Sequence, residues 1–231
     1  MIENNLTVNF INTYKLVSLY LELSNMITIK QREIFFIFAK NIFKKYTFKE
    51  LKAFTNENSN SVIQDSIKKF KENNLINEES IANLKLYSLN TSNEQCFNIL
   101  QEKLHENLDH LALKSINLLK KNIEDVEFFY SIIIFGSYAQ NKQKKNSDLD
   151  ILLLVKDYSN KKELEIVIKN TTLKSLINLD IHIIDINDFL KMLKEPEENL
   201  GKEIARKNYP VHNIGLFYKL LQKGIDNGFK L

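Results

Sequence analysis

The feature that most constrains this chain is a pair of short apolar runs, Ser131-Ile-Ile-Ile-Phe135 and Ile151-Leu-Leu-Leu-Val155, joined by a polar link. Continuous apolar runs of that length, bounded by polar residues, read as strands buried on both faces. The first run ends in Gly136-Ser137, and after a ten-residue gap Asp148-Leu-Asp150 leads directly into the second. Residues two apart on a strand share a side, so Asp148 and Asp150 converge while Leu149 and Ile151 enter the core. Two close carboxylates repel each other unless a cation lies between them. Hard divalent ions with oxygen ligands fill that role, and Mg²⁺ with phosphate is the commonest pairing. Gly136 lets backbone approach a phosphate, and Ser137 can donate to it from its hydroxyl and backbone N–H at a helix start. A helical segment, Lys161 to Ile177, and a third strand, Leu179 to Ile186, follow. Strand, helix and strand in succession predict an α/β domain with a central sheet.

At 231 residues and 27.1 kDa there is room for two domains. Hydrophobic residues at 44% and charged residues at 26% exclude a disordered chain. No apolar run reaches the roughly 18 residues of a membrane span, and Glu3, Asn4, Asn5 and Asn9 argue against a signal peptide. A single cysteine, Cys96, excludes a disulfide framework within the chain, fits a reducing cytoplasm and reads as a small buried apolar residue. Five glycines and two prolines predict short loops and abundant helix. The net charge of +3 does not by itself imply a nucleic-acid partner.

Residues 1–90 read as an N-terminal extension, short helices and two strands. Thr28-Ile-Lys-Gln31 is a capping-box pattern that opens a helix to about Tyr46 through Ile34, Phe35, Ile37, Phe38 and Ile42. A second box, Thr47-Phe-Lys-Glu50, opens a short helix. A third helix runs from Asn60 to Asn73 with Val62, Ile63, Ile67 and Phe70 inward. Leu75-Ile76 begins an extended segment, Asn77 to Asn83 reads as a polar loop, and Leu84 to Leu89 alternates as a strand. This order resembles a winged helix-turn-helix domain. Its recognition helix would expose Asn60, Ser61, Gln64, Lys68 and Lys71, residue types that reach base edges or phosphates. Against a DNA partner, the wing carries Glu78 and Glu79, and twelve basic against nine acidic residues leave 1–90 at only +3. DNA and protein docking both stay open here. From a third box, Thr91-Ser-Asn-Glu94, one long helix is expected to connect the domains across 91–124. Leu104, Leu108 and Leu111 on it are read as core, with a homodimer seam as the alternative.

The phrases Phe135-Gly-Ser-Tyr-Ala and Ser147-Asp-Leu-Asp150, at this spacing, resemble the DNA polymerase beta-like nucleotidyltransferase superfamily, and within it the minimal nucleotidyltransferase branch. The resemblance is strong over roughly residues 125 to 190, and it implies that the domain extends over 125–231. It implies a mixed central sheet flanked by helices and a third acid on a later strand. Asp180, alternating with core residues in Leu179-Asp-Ile-His-Ile183, is the candidate. Asp185 has the opposite parity and reads as structural or exposed; His182 shares Asp180's face and reads as a bystander. The resemblance further implies a two-metal displacement. Asp148 and Asp150 hold Mg²⁺ on the triphosphate, and Asp180 helps hold a second ion on the acceptor side. Gly136, Ser137, Lys142 and Lys145 form the nucleotide-binding set. The branch usually carries Arg-Gly after the alanine, whereas Ala139 is followed by Gln140-Asn141; Lys142, Lys144 and Lys145 are the residues available to replace that arginine.

The reading is a cytoplasmic α/β protein with an N-terminal winged helix. It transfers NMP from an NTP, ATP being the expected one, to a hydroxyl on a protein, RNA or small molecule. The branch often serves as antitoxins that nucleotidylate a partner toxin. The alternative is a DNA-binding regulator that keeps the fold with little or no turnover.

Overall fold

The computed structural model describes residues 26–231, and the expected N-terminal extension lies outside them. The chain divides into two compact units, one ending at Leu100 and one beginning at Gln101.

In the first unit the Thr28 capping box forms and opens α1 (Ile29–Phe35), but the helix stops there. A short 3-10 turn over Phe38–Lys40 follows. Tyr46, expected at the helix end, lies instead in strand β1 (Tyr46–Thr47), where it pairs with Tyr87. The apolar residues assigned to one long helix are all buried even so, because the core takes Ile37, Phe38 and Ile42 from the chain after it leaves the helix. Helices α2 (Phe48–Thr55) and α3 (Asn60–Glu72) start at Thr47 and Ser59, whose hydroxyls accept from the third residue beyond. Phe35 meets Phe70 edge-on with centroids 5.3 Å apart, and Phe38 meets Tyr46 at the same distance. Such pairs add about 0.5–1.5 kcal/mol each beyond their burial.

Residues 77–83 are not a loop. Strands β2 (Ile76–Ile81) and β3 (Leu84–Leu89) form a hairpin about Ala82-Asn83, and β1 joins its other side in the order β1-β3-β2. The stretch Asn77–Ser80 shows no apolar alternation because its pairing is made by backbone while its side chains stay near water. Helix α4 (Glu94–Asn107) begins behind Asn93, whose Oδ1 accepts from the Gln95 amide, rather than behind Thr91. Cys96 is buried, and burial pushes its thiol up to about 12.

The stretch expected as one connecting helix is two. α5 (His110–Ile123) begins afresh at Asp109, whose carboxylate accepts from the amides of Leu111 and Ala112. Ala112, Ile116, Leu119 and Ile123 of α5 pack into the core of the second unit, whereas Leu111 is exposed. The Leu104 side chain lies outside the described ones.

The second unit holds four strands: β4 (Tyr130–Ile134), β5 (Leu149–Val155), β6 (Leu179–Asp185) and β7 (Tyr209–His212), in the order β6-β5-β4-β7. β4 runs antiparallel to β5 and β7, and β5 runs parallel to β6, so the sheet is mixed. Helices α5 and α7 (Lys161–Lys174) cover the face that carries Leu149, Ile151, Leu153 and Val155. The pleat therefore turns Asp150, Leu152 and Leu154 to the other face. There α8 (Ile186–Lys194), α9 (Leu200–Arg206) and α10 (Ile214–Asp226) form the second layer through Phe189, Leu193, Phe217 and Leu221. β7 carries a proline in its middle, which its edge position allows.

His212 stacks on Tyr130 with ring centroids 4.6 Å apart, and burial holds its imidazole down at about 4, with Lys120 adding to the effect. The unfolded chain therefore takes up this proton first, and the stability it confers is lost as pH falls from about 6.5 towards 4. Between about pH 7.5 and pH 5 the loss is about 2 kcal/mol. Denaturant titrations at both pH values should show this loss in the wild type and not in His212→Phe, which keeps the ring contact.

Candidate active site

The end of β4, the start of β5 and the start of β6 meet at one edge of the second unit's sheet. Asp150 and Asp180 are direct partners across the parallel β5/β6 ladder, and the Phe135 amide donates to the Asp150 carbonyl at 3.1 Å. Gly136, the first residue of the single-turn helix α6 (Gly136–Ala139), has φ +64. A Cβ built on it would lie 2.0 Å from Asp150 Oδ2. The carboxylate thus occupies space that any other residue at 136 would fill. Asp148 stands exposed just ahead of β5.

Burial is the main reason the Asp150 carboxyl is pushed above the ordinary carboxylate range, and the charges of Asp180 and Asp148 push it further. His182 and the Ser137 backbone N–H act in the opposite sense. The three acids therefore share one electrostatic field. Among the described residues no three His, Cys, Asp or Glu side chains already converge on a point that could hold an ion. Hard oxygen donors in mutual repulsion, with one edge open, still suit Mg²⁺, which keeps waters and phosphate oxygens among its ligands. His182, expected as a bystander, places Nε2 3.5 Å from Asp180 Oδ1 and packs its ring 5.8 Å from Phe135. Asp185 lies at the other end of β6 and caps α8 by accepting from the Asp188 amide at 2.7 Å.

The family model "Polymerase beta, Nucleotidyltransferase" matches residues 113–210. The second unit carries a polymerase beta-type nucleotidyltransferase domain. The protein adenylyltransferase MntA of Shewanella oneidensis is 32% identical over 104 residues, which are 45% of this chain and 66% of that relative. A crystal structure of a toxin–antitoxin with AMP-PNP aligns at 21% identity and TM-score 0.33, and a mutant of the toxin–antitoxin MntA-HpeT at 19% and 0.33. Each alignment covers 48% of this chain and 84% of the other.

Within the nucleotidyltransferase domain the loop after α6 is tied to itself. Gln140 donates from Nε2 to the Gly136 carbonyl at 3.2 Å, and Lys142 donates from its backbone to the Ser137 carbonyl at 2.9 Å. The Lys142 ammonium reaches Gln140 Oε1 at 3.4 Å, and Lys145 is exposed. Gly136→Ala should cost about 1–3 kcal/mol of stability from the left-handed backbone alone. It should also weaken NTP binding more than tenfold by displacing Asp150. Denaturation and calorimetry would measure the two losses, and an unaffected affinity would remove Gly136 from the site.

In the first unit Asn60, Ser61, Gln64, Lys68 and Lys71 are all exposed on α3. Gln64, Lys68 and Lys71 line a groove of about 890 Å³ together with Lys49 and Lys85. Both acids of the β2–β3 hairpin are paired with lysines. Glu78 is held by Lys71 at 2.7 Å and Lys85 at 3.0 Å, and Glu79 by Lys45.

Proposed function

We propose that this chain transfers a nucleoside monophosphate, AMP first among them, from an NTP to a hydroxyl on a partner protein, as an antitoxin-type adenylyltransferase. The observation that carries the reading is the Asp150 carboxylate lodged against Gly136, beside its register partner Asp180. Asp148 and Asp150 would hold Mg²⁺ on the triphosphate, with Gly136 and Ser137 admitting the phosphates and Lys142 and Lys145 neutralising their outer charge. Asp180 lies on the acceptor side and would help hold a second ion. The bound ions supply positive charge at the α-phosphoryl and leaving oxygens. The acceptor hydroxyl gives up its proton to solvent, its oxygen bonds to the α-phosphorus as the bond to the bridging oxygen breaks, and pyrophosphate leaves with that electron pair. The relative named above is a protein adenylyltransferase, which favours a protein acceptor over RNA or a small molecule. Incubating the protein with cell extract and each radiolabelled NTP displays the acceptor directly. A labelled polypeptide is the expected result, and no labelled species with Mg²⁺ or Mn²⁺ would overturn the reading.

The exposed polar and basic face of α3, which shares a groove with Lys49, supports a second reading, in which the first unit is a winged helix that binds DNA through Asn60, Ser61, Gln64 and Lys68. At micromolar protein and low salt, gel shifts on DNA from the chain's own upstream region should appear. Affinity should fall at least tenfold between about 50 and 200 mM salt. Absence of a shift would leave α3 with a protein-docking role.

A further inference from the structure

We infer that the pocket between the α8–α9 turn and the segment after α10 binds a compact phosphate-type anion. The pocket is about 360 Å³ and is lined by Lys194, Lys202, Arg206 and Lys230 against two carboxylates, Glu195 and Glu198. Lys202 is 7% exposed, and its ammonium donates to the Glu195 backbone carbonyl. That bond satisfies one of three donors, and the nearest carboxylate whose charge Lys202 feels, Glu198, is shared with Arg206, so the buried ammonium has no counter-ion to itself.

Both carboxylates are already engaged. The oxygens of Glu198 accept from Arg206 Nη1 at 2.5 Å and Nη2 at 3.2 Å, and Glu195 Oε2 accepts from Asn199 Nδ2 at 3.1 Å. The pocket is left with two more positive than negative groups. A tetrahedral dianion matches that excess, the volume and the donors, since ammonium and guanidinium groups make short charge-assisted bonds to phosphate oxygens. Gly228, at φ +100, presents open space where a side chain would stand, which leaves room beside Phe229 and its contact with the Arg206 guanidinium.

The location gives the pocket a context. Tyr209 pairs with Ile134, the last residue of β4, and Arg206 lies three residues before Tyr209. The pocket therefore sits towards the same end of the sheet as Gly136, on the layer that α8 and α10 form. None of the residues proposed for the acidic site lines it.

Two sources share this chemistry: free inorganic phosphate, and a phosphoryl group on another macromolecule. The test uses the full chain carrying Asp148→Asn and Asp150→Asn, so that neither the acidic site nor the proposed transfer contributes to the signal. Inorganic phosphate and a phosphoserine peptide are titrated separately by calorimetry and by NMR of the Lys and Arg side chains. Saturable binding below about 1 mM is expected for at least one, and the tighter of the two identifies the source. Adding Lys194→Gln and Lys230→Gln, both at exposed positions, should weaken it about tenfold or more. Lys202→Met would lose binding too, but it also removes the bond to the end of α8, so the exposed pair is the decisive variant. Binding of neither probe, or equal binding with and without the exposed pair, would overturn the inference.

Discussion

Replacing Asp148 and Asp150 together by asparagine should lower NMP transfer by about a thousandfold or more, a loss of about 4 kcal/mol in transition-state stabilisation. The same change should abolish the Mg²⁺-dependent part of NTP affinity. Asparagine keeps the volume and hydrogen-bonding reach of aspartate but has no charge to hold a divalent ion, so the variant separates electrostatics from packing. The fold should tolerate it. Burial and two neighbouring carboxylates raise Asp150 above its ordinary range, which means that its charge at neutral pH opposes folding. The double variant should therefore melt at the same temperature as wild type or higher, while losing its chemistry. Calorimetry with and without EDTA, beside a thermal melt, measures both. Unchanged Mg²⁺-dependent affinity in a folded double variant would sink the metal assignment.

Asp180→Asn should behave differently. Asp180 is the direct β6 partner of Asp150, yet its side chain is 58% exposed where Asp150 is half-buried. A carboxylate on the open side of the pair suits the acceptor rather than the triphosphate. Its removal should keep NTP affinity within a few-fold while transfer falls by roughly a hundredfold, about 3 kcal/mol. Labelling as fast as wild type would place the third acid elsewhere. Asp185 is not the substitute. It lies five residues along β6, roughly 16 Å away at strand rise, with its carboxylate committed to the start of α8.

Local patterns were readable wherever one short-range physical rule decides the structure. The capping boxes at Thr28 and Thr47 need only residues three apart, and both form as read. The buried strands β4 and β5 needed only continuous apolar runs, and Cys96 only its type. Failures came where the deciding contact is distant in sequence. β2 is polar and becomes a strand because β3 supplies its backbone partners. Tyr46 leaves its helix because Tyr87 pairs with it. Asp109 is the exception, a local contact that the apolar periodicity hides: its side chain accepts from the amides two and three residues on and starts a new helix. The run Tyr209-Pro-Val-His212 has no strand signature, and only the free edge of β4 makes it β7.

The same division holds at the site. Strand parity paired Asp148 with Asp150, because a two-residue period is a property of the backbone and needs no tertiary information, while Asp180 became the candidate only when parity was joined to the third acid that the family resemblance implies. That Asp150 and Asp180 are register partners, that Gly136 must lack a Cβ to leave Asp150 its place, and that His182 leans on Asp180 were decided by tertiary structure. So was the pairing of Glu78 with Lys71 and Lys85, which engages the acid and two of the groove's lysines together. Those facts depend on the distance between groups far apart along the chain. A linear pattern states which side of its own strand a residue faces; which neighbour shares its field is set only when sheet and helices close around it.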